Sequence, residues 1–494
     1  MRRREVDGVT VLEEDCPGPL AGTLSFGCDP RDEDLDTIGL THVVQELVLR
    51  AEPYVADQCT EMTALSETSF TAAGSPEQIV EHFAAICTVL SGLPPADLAD
   101  ALADTDPGDR YLGGADDGLL DPWGSLLARR YGPHGPGLTR WPVVDYRLFT
   151  ADEIGRHVRR FFTAGNAVLA MTAAPPAMRL PLPAGPRVTH PAPPARYQTG
   201  PVWYADQVRG AGLAFRAEPD AAAVMLLRVL MSRVNAALAH AGLAYASYPE
   251  FLALDAAQHE YGLSLHTRRK KAKSSDAATA AEVLWAELQR LIGEGPSQAD
   301  LDRAIAFAEA PPVTLSQLRK KPADVLEQVG SLESAAQREL FGTAELVAPD
   351  PPDRLRRFTA QAARDLMSGW LCSAMVVVPR GTRPALPGTA EHACPRGSVQ
   401  PSGEVYRPAL LKRFGTKGVL IVGVDSVAAV DGDGDVHTVP LADALLVEQD
   451  GRFWLAHPGH GCATDISGHS AAVARLRTVL PPRRVRQEHR LSAG

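Results

Sequence analysis

Residues 39–51 read GLTHVVQELVLRA. On a helix, positions i, i+3 and i+4 share one face. His42, Gln45 and Glu46 therefore converge, whatever they do. They are a metal site, the remains of one, or the wet side of a helix, and the flanking sequence has to decide.

The chain has 494 residues, too many for one core and suited to two or three domains. Hydrophobic residues make up 45% and charged residues 22%, as in an ordinary globular protein. No apolar run approaches the roughly 18 to 20 residues of a membrane span, and no apolar stretch follows the basic start MRRREVDG. A net charge of −11 argues against nucleic acid as a partner. The basic run RRKKAK (268–273) reads as a solvated loop. Seven cysteines (16, 28, 59, 87, 372, 394, 462) are scattered, odd in number and never spaced CxxC. That pattern speaks against a disulfide framework or a structural zinc site and makes a reducing cytoplasm the expectation.

Helices and strands interleave, which predicts an α+β class. Ile79, Phe83, Ile86 and Leu90 follow helical spacing behind a Ser75–Gln78 capping box. Thr150 with Glu153 caps a second helix, and others are expected over 221–241 and 277–292. The helix–turn–strand unit at 152–176 recurs at 353–379, and the helix at 79–90 recurs at 280–292. A repeat of that period is a duplicated domain. The predicted organisation is a first domain at 1–183, a proline-rich linker at 184–200 and a second domain at 201–380. A turn-rich linker (381–404), a small β-rich domain with a terminal helix (405–482) and a disordered tail (483–494) complete it. The small domain reads as a roll or barrel with a helical plug, of pleckstrin-homology type.

At this spacing, H-x-x-E-H is the inverted zinc motif: two histidines hold the metal and the glutamate activates its water. Here the five positions read His42-Val43-Val44-Gln45-Glu46. The flanks carry further matches: DGVTV (7–11), CDPRDE (28–33), TALSETSF (63–70), IVEHFAAICTVLSGLP (79–94), RYGPHGPGLTRW (130–141) and LFTADEIGRHVRRFFTAGNAVLAMTAAP (148–175). The second copy adds VLMSRVNAALAHAGLAYASY (229–248) and LQRLIGEGPSQADLDRAIA (288–306). In order and spacing, these blocks resemble the pitrilysin/insulinase family of zinc metallopeptidases, in its processing-peptidase-like branch, over about residues 1–380. The resemblance implies two homologous domains, each a sheet flanked by helices, as half of a clamshell that encloses a peptide.

The departures from the family pattern bear on function. His42 keeps the first ligand position. Gln45 stands where the family has its general base, and a carboxamide cannot take a proton from water. Glu46 replaces the second histidine, and its negative charge weakens a metal's acidifying effect on water. The third ligand of the family is a downstream glutamate, but residues 95–131 contain only aspartates (97, 100, 104, 106, 109, 116, 117, 121). In the second copy, the family's substrate-binding pair is reduced to Tyr245, with Leu238 at the arginine position.

The resemblance thus implies a catalytically inactive, metallopeptidase-like subunit with no cofactor. Its partner would be an active, zinc-bearing homologue or a second copy, and its substrate a peptide, such as the precursor of a ribosomally made natural product. The expected setting is the bacterial cytoplasm, with no membrane partner. Two alternatives stay open: a stand-alone binding or scaffold protein, and an atypical zinc peptidase built on His42, Glu46 and one aspartate. Two further stretches drew attention. HPGHGCATDISGH (457–469) has metal-ligand spacing but reads better as a glycine-rich turn capped by Ser467 or Ser470. DGDGD (431–435) reads as a tight hairpin turn rather than a calcium loop.

Overall fold

The computed structural model describes residues 2–15, 20–51, 58–63, 67–104, 118–174, 177–189, 193–197, 200–255, 257–267, 274–309, 330–341, 358–394, 401–408, 418–430, 436–449 and 451–488. The RRKKAK run, the DGDGD turn and four of the aspartates (106, 109, 116 and 117) lie outside them.

The first sheet contains β1 (Arg2–Val6), β2 (Val9–Glu13), β3 (Leu20–Phe26), β4 (Gln58–Thr63), β5 (Thr68–Gly74) and β6 (Ala167–Met171), in the order β1-β2-β6-β3-β5-β4. The second contains β7 (Val202–Asp206), β8 (Ala211–Ala217), β9 (Tyr245–Ala253), β10 (His259–Thr267), β11 (Met375–Pro379) and β12 (Ala390–Glu391), in the order β12-β7-β11-β8-β10-β9. Five strands of each follow one plan. A parallel pair (β2 with β6, β7 with β11) sits at one side, and antiparallel pairing runs on from it to the far edge. The sequence repeat is therefore a repeat of topology.

Helices of the first half are α1 (Leu40–Ala51), α2 (Pro76–Gly92), α3 (Leu98–Asp104), α4 (Pro122–Tyr131) and α5 (Ala151–Phe161). Those of the second half are α6 (Ala221–His240), α7 (Ser274–Glu294), α8 (Gln298–Glu309), α9 (Gly330–Phe341) and α10 (Ala360–Trp370). The Ser75 and Thr150 capping boxes both form. Leu24, Phe26, Val43, Phe83, Ile154 and Phe161 share a core on one face of the first sheet, and Leu213, Leu230, Leu284 and Trp370 do so for the second. By length and composition α6 is apolar enough to cross a membrane, but its apolar side chains lie in this second core.

Each half lends a helix to the other half's sheet. From the first half, α4 lays Trp123, Leu126 and Leu127 against Ala214, Met375 and Val377 of the second sheet. From the second half, α9 lays Ala335, Ala336 and Leu340 against Leu12, Ala21 and Val168 of the first. Gly262 makes the α4 contact feasible, because a Cβ there would lie 2.5 Å from the Trp123 ring. A charged contact accompanies this exchange: Arg130 Nε lies 2.7 Å from Glu260 Oε1, both fully buried, and the Tyr131 hydroxyl donates to Glu260 Oε2 across 2.6 Å.

The C-terminal part holds two four-stranded sheets. One is β13 (Glu404–Tyr406), β14 (Val419–Val422), β15 (Ser426–Val430) and β16 (Val436–Pro440), an antiparallel meander. The other comprises β17 (Leu445–Gln449), β18 (Arg452–His457), β19 (Cys462–Asp465) and β20 (Val485–Glu488), in the order β19-β18-β17-β20. A final helix, α11 (Ser470–Val479), packs Ala472, Val473 and Leu476 between the sheets, against Leu420, Leu446 and Leu455. Alternate residues of β17 and β18 (Leu445, Val447, Trp454, Ala456) point the opposite way, into the core of the first half. Both faces of this sheet are thus buried.

Three expectations need correction here. The tail expected to be disordered from 483 is strand at Val485–Glu488, paired in parallel with β17. Arg483 holds it down by ion-pairing Glu153 at the start of α5 and donating to the Asp36 and Leu148 carbonyls. Inside the expected linker 381–404, Ala390–Glu391 adds β12 to the edge of the second sheet. The N-cap of α11 is His469, whereas Ser467 bonds Asp465 and the Phe453 backbone.

Candidate functional site

The helix α1 opens just after Gly39, whose φ of +102° and tight contact with Val143 suit only glycine. Glu33 supplies the N-terminal cap from a distance: its carboxylate accepts from Gly39 N at 2.8 Å and Thr41 N at 2.7 Å. A negative charge there also complements the helix dipole. The start of the motif helix is therefore fixed by a carboxylate from the CDPRDE block.

His42, Gln45 and Glu46 lie on one face of α1, as the spacing predicts. His42 Nδ1 is 3.2 Å from Gln45 Oε1, and Gln45 Nε2 donates to the Ser69 carbonyl of β5 at 3.5 Å. The amide orientation that satisfies both bonds makes Nδ1 of His42 the donor. Glu46 Oε1 stands 3.6 Å from His42 Nε2. Gln45 is 1% exposed, His42 is buried with the Tyr146 ring edge-on to it, and Glu46 is partly exposed. In this arrangement the amide links the helix to the sheet and has no basic lone pair to offer a water.

Among the described residues, no third histidine, cysteine or carboxylate joins His42 and Glu46 to make a three-ligand group. Asp97 and Asp100 belong to the start of α3 and its approach. Asp121 is the N-cap of α4, accepting from Trp123 N and Gly124 N, and stands 3.6 Å from His266; burial pushes its carboxyl up. Beneath α1, the Thr41 hydroxyl meets His157 Nε2 at 3.0 Å and Cys28 Sγ at 3.6 Å. Burial pushes the Cys28 thiol up and holds His157 down to about 4, so this group is neutral and inert at physiological pH.

In the second half, Tyr245 begins β9 and Leu238 lies near the end of α6, and both belong to the second core. Tyr245 is 7% exposed, and its hydroxyl finds no hydrogen-bond partner among the described residues. Beyond it, β9 forms the outer edge of the sheet and exposes Tyr248 and Phe251.

A second constellation was missed by reading the sequence locally. Cys394, four residues after β12 begins, His437 of β16 and Cys462 of β19 converge. Cys394 Sγ lies 3.0 Å from Cys462 Sγ, and His437 Nε2 lies 3.8 Å and 3.6 Å from the two sulfurs. The hydrogen bond from Cys462, with His437 and Arg129 nearby, outweighs the opposing effect of burial and leaves the Cys394 thiol well below its ordinary range. The scattered spacing speaks against a structural zinc site, yet the fold brings two of the cysteines together with a histidine. The ligand types are right, but the fold assembles them from three separate segments. The one local signal was H-x-x-H-x-C at 457–462, of which Cys462 is a member.

No family model matches the chain, and no curated protein matches it by sequence. Solved structures match it by shape. A chain of complex III2 from Candida albicans, solved with Inz-5 bound, is 14% identical with a TM-score of 0.56, covering 76% of this chain and 94% of its own. A peptidase M16 inactive domain from Pseudomonas fluorescens is 13% identical with a TM-score of 0.56, covering 78% of this chain and 98% of its own. Pitrilysin is 12% identical with a TM-score of 0.50, covering 76% of this chain and 46% of its own. The chain has the two-domain fold of the pitrilysin/insulinase-type M16 peptidases, extended by a C-terminal roll.

Proposed function

We propose that this chain is a catalytically inactive member of the M16 peptidase family that pairs with an active, zinc-bearing homologue to enclose a peptide. One observation carries the reading. The residue at the general-base position, Gln45, is a buried carboxamide engaged with His42 and the Ser69 carbonyl. A group with no basicity, already bonded on both sides, cannot activate water. Similarity to a domain named inactive, and to a chain of an assembled complex, supports the reading at the level of fold.

In this account two topologically equivalent halves supply one wall of a peptide chamber and the partner supplies the other wall and the zinc. The exposed edge of β9 gives a peptide a strand to pair with, and Tyr248 and Phe251 give it apolar contact. The substrate class we assign is a precursor peptide of a ribosomally made natural product, processed in the bacterial cytoplasm. A second reading, a stand-alone binding protein, draws on the burial of Tyr245 and on Leu238 in place of an arginine.

The two readings separate on capture of the full chain from its native cells, followed by peptide-cleavage assays of chain, captured partner and mixture. Pairing predicts a captured homologue with an intact H-x-x-E-H motif, whose cleavage rises at least tenfold on mixing. Capture without any effect on cleavage supports the binding protein instead.

A further inference from the structure

We propose that Cys394, His437 and Cys462, with His457 as the fourth ligand, form a structural zinc site that fastens the C-terminal roll to the rest of the chain. The site is separate from the motif helix and from the chamber reading above.

The donor set is the first support. Two thiols and an imidazole nitrogen converge with all pairwise distances within 4.8 Å. In tetrahedral zinc with Zn–S of about 2.3 Å and Zn–N of about 2.0–2.1 Å, sulfur–sulfur edges are about 3.8 Å and sulfur–nitrogen edges about 3.5 Å. The His437 distances of 3.6 and 3.8 Å already match the second figure. The sulfurs, at 3.0 Å, have to open by about 0.8 Å to reach the first. Soft thiolates with imidazole at a tetrahedral centre favour zinc over harder cations.

The fourth ligand follows from register. His457 and Cys462 are directly paired across the β18–β19 hairpin, so they emerge side by side at its end. The His457 ring centroid is 6.0 Å from that of His437. His457 is 6% exposed, and its Nδ1 has no hydrogen-bond partner among the described residues, which is costly for a buried polar atom. A metal on the imidazole removes that cost. Gly461, at φ +60°, closes the turn against the α4 backbone, where a Cβ would lie 2.4 Å from the Ala128 carbonyl carbon.

The surroundings are built to hold the pieces in place. The buried Arg129 of α4 donates to the His460 carbonyl at 2.9 Å and to the His392 carbonyl at 2.7 Å. One guanidinium thereby ties the hairpin turn and the Cys394 segment to the first half. Its charge also favours the thiolates that zinc needs. As the ion enters, the two thiols release their protons to solvent, and zinc gains two thiolate and two neutral imidazole ligands with no redox change.

The experiment uses the untagged full chain. Elemental analysis of the purified protein is expected to give one zinc per chain, and Cys394→Ser or Cys462→Ser to lower it at least tenfold, while His42→Ala leaves it unchanged. Because the cysteine variants can fail to fold, the wild-type chain is also stripped and titrated with cobalt(II) chloride. One equivalent is expected to give the visible bands of tetrahedral cobalt and a near-ultraviolet thiolate charge-transfer band. The proposal is overturned by a cobalt spectrum without the thiolate band. It is equally overturned by zinc that leaves with His42→Ala but stays in Cys394→Ser, or by an intact mass short of two hydrogens from a Cys394–Cys462 disulfide.

Discussion

His42 Nδ1 and Gln45 Oε1 meet at 3.2 Å inside α1, and the same Gln45 amide reaches β5 through the Ser69 carbonyl at 3.5 Å. Gln45 is thus a strut between helix and sheet.

Restoring the carboxylate therefore brings a structural cost without recovering the chemistry. Gln45→Glu turns the donor toward the Ser69 carbonyl into an acceptor at a site 1% exposed, which costs about 1–3 kcal/mol. On the function proposed above, Glu46 still stands in place of a ligand histidine, so the variant is expected to remain inactive alone. Urea unfolding and a peptide-cleavage assay check both halves; a variant as stable as wild type, or one that cleaves, contradicts the strut.

Acid is expected to weaken the fold before the carboxylates titrate. Burial holds His157 and His259 down to about 4, whereas an unfolded histidine titrates near 6.5. Between these values the unfolded chain binds more protons, so stability is complete above about pH 6.5 and is lost as pH falls toward about 4. The loss is on the order of 1.4 kcal/mol per pH unit for each ring in that window. Urea midpoints should fall between about pH 7 and about pH 5, and His157→Gln should remove part of that fall. A midpoint independent of pH over this range contradicts the assignment.

The Arg130–Glu260 contact joins α4 of the first half to β10 of the second across 2.7 Å, with both charges buried. Glu260→Ala takes the carboxylate away from Arg130 Nε and the Tyr131 hydroxyl, leaving a buried charge with only backbone carbonyls around it, and should cost about 3–5 kcal/mol. The paired change Arg130→Met with Glu260→Leu should cost markedly less, since no charge is then stranded. Equal losses in the single and double variants, measured by chemical denaturation, argue against a buried pair.

At the other end of the chain, Arg483 makes two bonds to Glu153, at 2.7 and 2.8 Å, and two to backbone carbonyls. Arg483 draws the Glu153 carboxyl down to about 2. A depressed carboxylate stabilises the fold above its unfolded value of about 4.3, and that stabilisation is lost as pH falls toward about 2. Arg483→Ala should cost about 1–3 kcal/mol at neutral pH, shrinking below about pH 4. Hydrogen exchange should show β20 losing protection; unchanged protection there would mean the strand is held by β17 alone.

Much of the fold was legible because its signals are local. Helical spacing and the Ser75 and Thr150 capping boxes placed α2 and α5, and the recurrence of helix–turn–strand at 152–176 and 353–379 announced the shared topology of the two sheets. The exchange of α4 and α9 between halves was not legible, since apolar spacing gives the buried face of a helix but not the sheet it covers. The strand at 485–488 was hidden because RRVRQEHR is polar and basic, and its order comes from Glu153, Asp36 and β17, far away in sequence. The motif helix was readable too, down to the face that His42, Gln45 and Glu46 share. The Cys394–His437–Cys462 group was not, because spacing rules detect ligands on one hairpin and these sit on three segments.

The central claim is that the motif on α1 no longer performs hydrolysis, and cleavage of a quenched fluorescent peptide library by the isolated chain with added zinc tests it most directly. The account predicts that wild type and His42→Ala give the same background rate. Zinc-dependent cleavage by the wild-type chain, abolished by His42→Ala, would contradict it.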